Sequence, residues 1–293
     1  MDIRVLRYFI AVANQESISG AANQLHLSQP TLSRQLNDLE DNLNTKLFHR
    51  GNRKIQLTEE GRFLLEKAKE IVNLVDKTEA NFNQSEDIIS GEIYIGAGET
   101  EAMRIIAKSL KKVIEQSPNI QFHTYSGNFD DVTNKLDNGL LDFGVIIEPA
   151  DKQKYNYIKL PESEISGVLM PKTSPLANKE TIKPEDLINH PLIISHQTSD
   201  SNEIAGWFGK DIEDLNIIGT YNLLYNASIM VQEGIGYAIC IDKLIDTSEN
   251  SELCFRPLSP TLESGLNLIW KKHQTFSKAS KAFLKQLRED LNL

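Results

Sequence analysis

The sequence predicts a two-part α/β chain: a small helical head with a β-hairpin, then a larger body of alternating strands and helices. Three observations predict it. Residues 1–45 repeat apolar side chains at intervals of three and four in three successive stretches, the period of helices with one buried face. One long helical pattern follows, over residues 59–90. From Gly91 onward the period changes to short β-branched runs separated by amphipathic stretches, which indicates α/β structure with mainly parallel pairing. The expected domains are therefore 1–58, 59–90 and 91–293.

Composition narrows the function. The 293 residues are 40% hydrophobic and 25% charged, enough for a core in each domain. No apolar run approaches the length of a membrane span. The first 17 residues mix charged and apolar types at helical spacing, without the continuous apolar region of a signal peptide. A cytoplasmic location is the default expectation, with no membrane partner. Net charge is −10, yet residues 1–58 hold seven Lys/Arg against five Asp/Glu, a net +2 that leaves −12 for the remainder. A weakly basic head on an acidic body suits a protein that touches nucleic acid at one end only. Cys240 lies in an apolar run and reads as a small buried side chain. The six His are scattered without metal-ligand spacing, so no metal is expected.

In the head, residues 2–14 form a first helix with Ile3, Leu6, Phe9, Ile10 and Ala13 on one face. Residues 17–43 then read as two short helices and a tight turn. Ser17 or Ser19 caps the first, whose buried side is Ala21, Ala22 and Leu25. Ser28 caps the second, and Pro30 suits its first turn, where a missing N–H costs little. Leu32, Leu36, Leu39 and Leu43 make one apolar stripe. The opposite face begins Gln29, Thr31, Ser33, Arg34. Gln and Arg can make bidentate contacts to adenine and guanine edges, and a Thr methyl can touch that of thymine. This is the pattern of a helix-turn-helix whose second helix enters the major groove of double-stranded DNA; a plain helical hairpin in a core is the alternative. Asn44 tolerates a left-handed helix stop. Residues 46–50 and 53–57 read as two strands around the turn pair Gly51-Asn52. Arg50, Arg53 and Lys54 lie near the tip, where a basic wing can hold phosphates or reach the minor groove. A solvated hairpin is the other reading.

Thr58 caps the long helix, with Glu59 and Glu60 at the positive end of its dipole. Leu64, Ala68, Ile71, Val75, Thr78 and Phe82 form a seam of alternating four- and three-residue steps. Such a seam needs a partner: a second copy of the chain, giving two heads for a symmetric site, or the protein's own body.

In the body, strands are expected at 92–97, 120–125, 141–147, 165–170, 192–195, 217–221, 237–241, 253–258 and 266–270. Helices are expected at 102–116, 129–138, 184–189, 202–208, 223–233 and 276–291. Residues 157–171 and 262–268 look like two crossings between sub-domains, one made of 91–162 and 266–293, the other of 163–265. Ligands of open α/β sheets sit beyond the carboxyl ends of strands. Four polar segments occupy such places and nominate Thr100, Glu101, Ser126, Asn128, His196, Thr198, Ser199 and Asn222. Helix caps have the same composition, and that reading stays open. No Ser-His-Asp, Walker or dinucleotide motif is present; Gly96-Ala-Gly98 is only a fragment of one. An enzyme is therefore not expected. A transporter's solute-binding protein would call for an export signal or lipid anchor.

The chain resembles the LysR-type transcriptional regulators. The resemblance rests on Ala21-Ala22-x-x-Leu25, Ser28-Gln29-Pro30, Ser33, Leu39-Glu40, Leu47-Phe48-x-Arg50-x-x-Arg53, Leu57-Thr58 and Gly61, and more loosely on Gly127, Leu141-Asp142 and Val231-x-x-Gly234-x-Gly236. It implies a winged helix-turn-helix, a dimerising linker helix, and a periplasmic-binding-protein-like domain that senses a small-molecule co-inducer. It also implies self-association as a dimer or dimer of dimers on promoter DNA, with RNA polymerase a further candidate partner. Two departures stand out. Asn44 occupies a place where the family usually has Gly. Glu99 and Glu101 flank Thr100, where members often hold a carboxylate with a hydroxyl; these acids disfavour a simple anionic effector, or else serve a helix N-terminus and face away.

Overall fold

The computed structural model describes the chain outside residues 51–54, 83–88, 149, 151, 200 and 201; the side chains of residues 50, 80–82, 198, 199 and 202 are not described either. The chain divides into two compact units, residues 1–83 and 84–293.

The first unit runs α1 (Ile3–Gln15), α2 (Ile18–Gln24), α3 (Gln29–Leu43), β1 (Phe48–Arg50), β2 (Ile55–Leu57) and α4 (Glu59–Phe82). Local chemistry sets its boundaries. The Asp2, Ser17 and Ser28 side chains accept amide hydrogens at the starts of α1, α2 and α3, filling donors that the helices leave orphaned. Asn44 stops α3 in the left-handed region at φ 50°. Leu6, Phe9, Ala21, Leu32, Leu36 and Leu47 form the centre of one core. On α1 the buried face is rotated from the expected one: Val5 and Val12 are buried, while Ile3, Ile10 and Ala13 are only half so. The expected stripe on α3 loses its last member, because Leu43 lies in the final turn beyond the core and is exposed.

Glu40 is 1% exposed in this core. Its carboxylate accepts the amides of Leu47 (2.8 Å) and Phe48 (3.3 Å) and pairs with Lys46 (2.9 Å), so it ties α3 to the first strand of the hairpin. Burial pushes this carboxyl up, but the two amides and the Lys46 ammonium outweigh burial and hold it below the ordinary value. The Thr58 hydroxyl accepts the Gly61 amide (2.9 Å) and donates to the Lys46 carbonyl (2.7 Å), fixing the start of α4 against the same loop. A Cβ on Gly61 would fall 2.1 Å from the Leu47 carbonyl oxygen, so only glycine permits this approach.

The expected seam of α4 is corrected here. Leu64 and Ala68 are buried in the head's own core, joined by parts of Leu65 and Val72. Arg7 of α1 pairs with Asp76. Among the described residues, the large apolar side chains that α4 leaves exposed are Phe63, Ile71 and Leu74. The first half of the helix is claimed by its own domain; of the later seam members Ile71 and Thr78 are exposed and Val75 is half-buried, and the Phe82 side chain lies outside the described residues.

The second unit runs β3 (Gly91–Ala97), α5 (Met103–Gln116), β4 (Ile120–Ser126), α6 (Phe129–Asp137), β5 (Phe143–Ile147), β6 (Tyr155–Pro171), α7 (Pro184–Leu187), β7 (Leu192–Ser195), α8 (His196–Ser199), α9 (Asn202–Phe208), β8 (Ile217–Tyr221), α10 (Leu224–Gln232), β9 (Tyr237–Ile241), β10 (Leu253–Pro257), β11 (Glu263–Lys271) and α11 (Lys278–Asp290). Pairing is mixed rather than mainly parallel. β3 lies parallel between β4 and β5, and β7 lies parallel between β8 and β9. These two trios are joined through antiparallel β11 and β6, with β10 beside β6. The 17-residue β6 starts ten residues before the expected strand, since its first half pairs with β11 along Tyr155–Lys159. It therefore runs through both halves of the body.

Each trio is covered on both faces, and strand alternation divides the residues between them. Ile93, Ile95, Phe143 and Val145 face α5 and α11; Ile146 and Ile269 face Val132 and Leu136 of α6. In the other half, Val168, Met170, Ile194 and Ile239 pack with Ile204, while Leu169, Ile193 and Cys240 pack with Leu224 and Val231 of α10. Cys240 and Cys254 are free and buried, and burial pushes the Cys240 thiol up to about 12. No helix among the described residues is long and apolar enough to cross a membrane.

Candidate functional site

The head presents one polar helix end. Ser28, Gln29, Pro30, Thr31 and Arg34 are exposed and Ser33 half-buried, while Leu32 and Leu36 between them are buried. The Ser28 and Thr31 hydroxyls share a hydrogen bond of 2.7 Å, so they brace the turn. Arg4, Arg7 and Lys46 are all engaged with nearby carboxylates. Among the described residues Arg34 has no such partner, and it is exposed. The hairpin pairs Phe48 with Leu57, His49 with Gln56 and Arg50 with Ile55, which trims the first strand from the expected 46–50; the first two residues of the expected 53–57 lie outside the described residues. The Ile55 amide donates to the Glu16 carbonyl (3.1 Å) and seats the wing on the end of α1. Arg53 and Lys54 lie outside the described residues, as does the Arg50 side chain.

The body contains a cavity of about 120 Å³, open in part to solvent, where the carboxyl ends of the two parallel trios face each other. Glu99, Asn128 and Glu148 line it from one half; Gln197, Glu203 and Asn222 line it from the other. Among the described residues two hydrogen bonds cross the cleft. The Leu224 amide, at the first turn of α10, donates to the Glu99 carboxylate at 2.5 Å. Gln197 Nε2 donates to the Ile147 carbonyl at 3.4 Å. Glu148 pairs with Lys152 and accepts Asn267 Nδ2 (3.0 Å); these two partners hold its carboxyl below the ordinary value against some burial. The Glu203 carboxyl is pushed up by burial. Tyr221 donates its hydroxyl to the Ile239 carbonyl (2.8 Å), and burial pushes its phenol well up.

A family model described as bacterial regulatory helix-turn-helix protein, lysR family, matches residues 3–62, and one described as LysR substrate binding domain matches residues 87–292. The chain belongs to the LysR family. It is a DNA-binding transcriptional regulator with a small-molecule effector domain. Similar proteins include a probable RuBisCO transcriptional regulator of Synechocystis sp., 28% identical over 96% of this chain and 84% of its own. Another is the Hca operon transcriptional activator HcaR of Escherichia coli, 27% identical over 93% and 92%. Among solved structures, CbnR, a LysR family transcriptional regulator, matches with a TM-score of 0.75 at 20% identity, covering 99% of each chain. A structure of full-length CbnR complexed with its target DNA matches at 0.74, again at 20% identity and 99% of each chain.

Of the effector residues expected in the regulator, the structure brings Asn128 and Asn222 to the cavity. Asn128 also caps α6, accepting the Asp131 amide at 2.9 Å. Thr100, Glu101, Ser126 and His196 do not line it. The Thr100 hydroxyl accepts the Ala102 amide (3.0 Å) and donates to the buried Glu164 carboxylate of β6, so it serves a crossing strand. Glu101 pairs with Arg104 at 2.9 Å on the helix surface. Ser126 and His196 are exposed. The side chains of Thr198 and Ser199 are not described, although 196–199, expected as a loop, is one helical turn. Missed were Glu148, Gln197, Glu203 and Tyr221, together with Glu99, whose position had been noted but not chosen. Two of the nominated segments line the cavity through the adjacent residue: Glu99 beside Thr100, and Gln197 beside His196.

Proposed function

We propose that Gln29, Thr31, Ser33 and Arg34 read base edges in the major groove of a promoter site, with Ser28 and Pro30 shaping the helix start. Arg50, Arg53 and Lys54 of the wing hold phosphates or enter the minor groove. The observation that carries this reading is the exposed Arg34 on a polar helix end whose other face is fully buried. The effector occupies the cavity between the two halves of the body, touching Asn128 and Asn222 together with Gln197 and Glu203. Its binding biases the relative arrangement of the halves, by no more than its difference in affinity for the two states. The regulator works as a homo-oligomer through the exposed face of α4, in the cytoplasm, without catalysis, and with RNA polymerase as a further partner at the promoter. Genome-wide mapping of bound DNA tests this: the native chain should concentrate on sites sharing one sequence pattern, and Arg34→Ala should lose the pattern while keeping diffuse binding. Unchanged peaks in Arg34→Ala would remove α3 from base reading.

A further inference from the structure

We propose that the effector cavity selects a small molecule bearing a protonated amine on an apolar body, and that Glu203 receives the amine. The inference rests on reading this cavity as the effector site and adds the ligand's chemical class.

The lining carries three carboxylates, Glu99, Glu148 and Glu203, and no Lys, Arg or His among the described residues. The neighbouring residues outside the description, at 149, 151, 200 and 201, are Pro, Asp, Asp and Ser, which add no cation. The three carboxylates differ in what they have left to offer. Glu148 is satisfied by Lys152 and Asn267. Glu99 is spent on the Leu224 amide of the facing half. That bond has a second consequence: the first turn of α10, where an anionic ligand would find free amides and a favourable dipole, already holds an anion. Glu203 is half-buried and has no partner among the described residues. Burial raises its carboxyl, a penalty that a cation at hydrogen-bond distance would relieve. An anion entering the cavity would instead meet the Glu203 carboxylate, which no cation among the described residues compensates. Around these acids, Ile147, Ile204, Leu224 and Leu262 supply apolar wall and Asn128 and Asn222 supply neutral polar groups, which fits a compact body with one charged end.

The test uses the full chain and a panel of primary amines paired with carboxylates of the same carbon skeleton: butyl to octyl, benzyl and phenethyl. Binding is followed by calorimetry and by the melting temperature at constant ionic strength. Members of the amine series should bind with at least about tenfold preference over their carboxylate partners. Glu203→Gln should erase that preference without lowering the melting temperature of the free protein, and Glu180→Gln, at an exposed carboxylate that does not line the cavity, should leave it in place. Preferred binding of carboxylates would overturn the amine assignment while leaving the cavity as the effector site. Amine binding unchanged in Glu203→Gln would overturn it by placing the amine elsewhere. No binding from either series would overturn both the amine assignment and the reading of this cavity as a site for compact monofunctional ligands.

Discussion

Glu40 shows how one buried carboxylate can join two elements. It accepts two backbone amides at the start of the wing and pairs with Lys46, so its folded-state affinity for a proton is depressed. A depressed carboxyl contributes stability above its unfolded value, near about 4.3, and loses that contribution as pH falls through the folded value. Glu40→Gln should therefore cost the head about 1–3 kcal/mol at neutral pH, with the gap to the parent closing on acidification toward pH ~3. Thermal melts of both proteins across that range check it; a gap that is constant with pH would mean the charge of Glu40 is immaterial. Thr100 makes the complementary case. Its hydroxyl looked like a ligand group in the sequence and is instead a donor to buried Glu164. Thr100→Val should destabilise the body by about 1–3 kcal/mol, because the buried Glu164 carboxylate loses one donor and keeps the Glu101 amide, with ligand affinity little changed. Unchanged stability in that variant would mean that the Thr100–Glu164 bond contributes nothing to the fold. The sequence placed the site's segments through the carboxyl ends of strands, but it could not choose between adjacent residues there. Beyond the strand ends the chain turns, as at Glu99-Thr100, or starts a helical turn, as at His196-Gln197, so adjacent side chains leave in different directions and a slip of one exchanges a lining residue for a structural one.

At the scale of the element, α4 shows where periodicity alone runs short. A seam of four- and three-residue steps was legible, but two surfaces compete for one helix. Leu64 and Ala68 are taken by the head's own core, which leaves Phe63, Ile71 and Leu74 exposed. Ile71→Lys with Leu74→Lys should therefore reduce the mass seen by sedimentation while the head keeps its fold, because charges are placed only where another copy would pack. Leu64→Lys should instead unfold the head by burying a charge in its core. If the double variant keeps its mass, association is built on another surface. The strands were legible for a related reason: β-branched runs mark them whatever their direction, whereas pairing direction depends on partners distant in the chain. The strands of both trios and the two crossings at 157–171 and 262–268 were legible, but not that β6 begins at Tyr155 and pairs antiparallel with β11, since residues 155–164 carry no clear alternation.

Across the whole body, the two halves share strands β6 and β11 and are tied over the cavity by hydrogen bonds, Leu224 to Glu99 and Gln197 to Ile147. A ligand that displaces or strengthens these bonds changes the balance between arrangements of the halves, and the effect on DNA follows from that balance. Glu99→Ala should speed amide exchange at Leu224 and the first turn of α10, leaving β3 and β7 protected, because only the bond across the cleft is lost. Equal exchange in both proteins would mean that the halves separate freely without it. The account turns in the end on what α3 does. Binding of the full chain to its own upstream DNA and to a scrambled duplex, titrated across salt, tests this most directly. Arg34→Ala should lose about 1–3 kcal/mol on the specific duplex and little on the scrambled one, while Arg53→Ala should weaken both and flatten the salt dependence. Equal losses on the two duplexes for Arg34→Ala would contradict base reading by this helix.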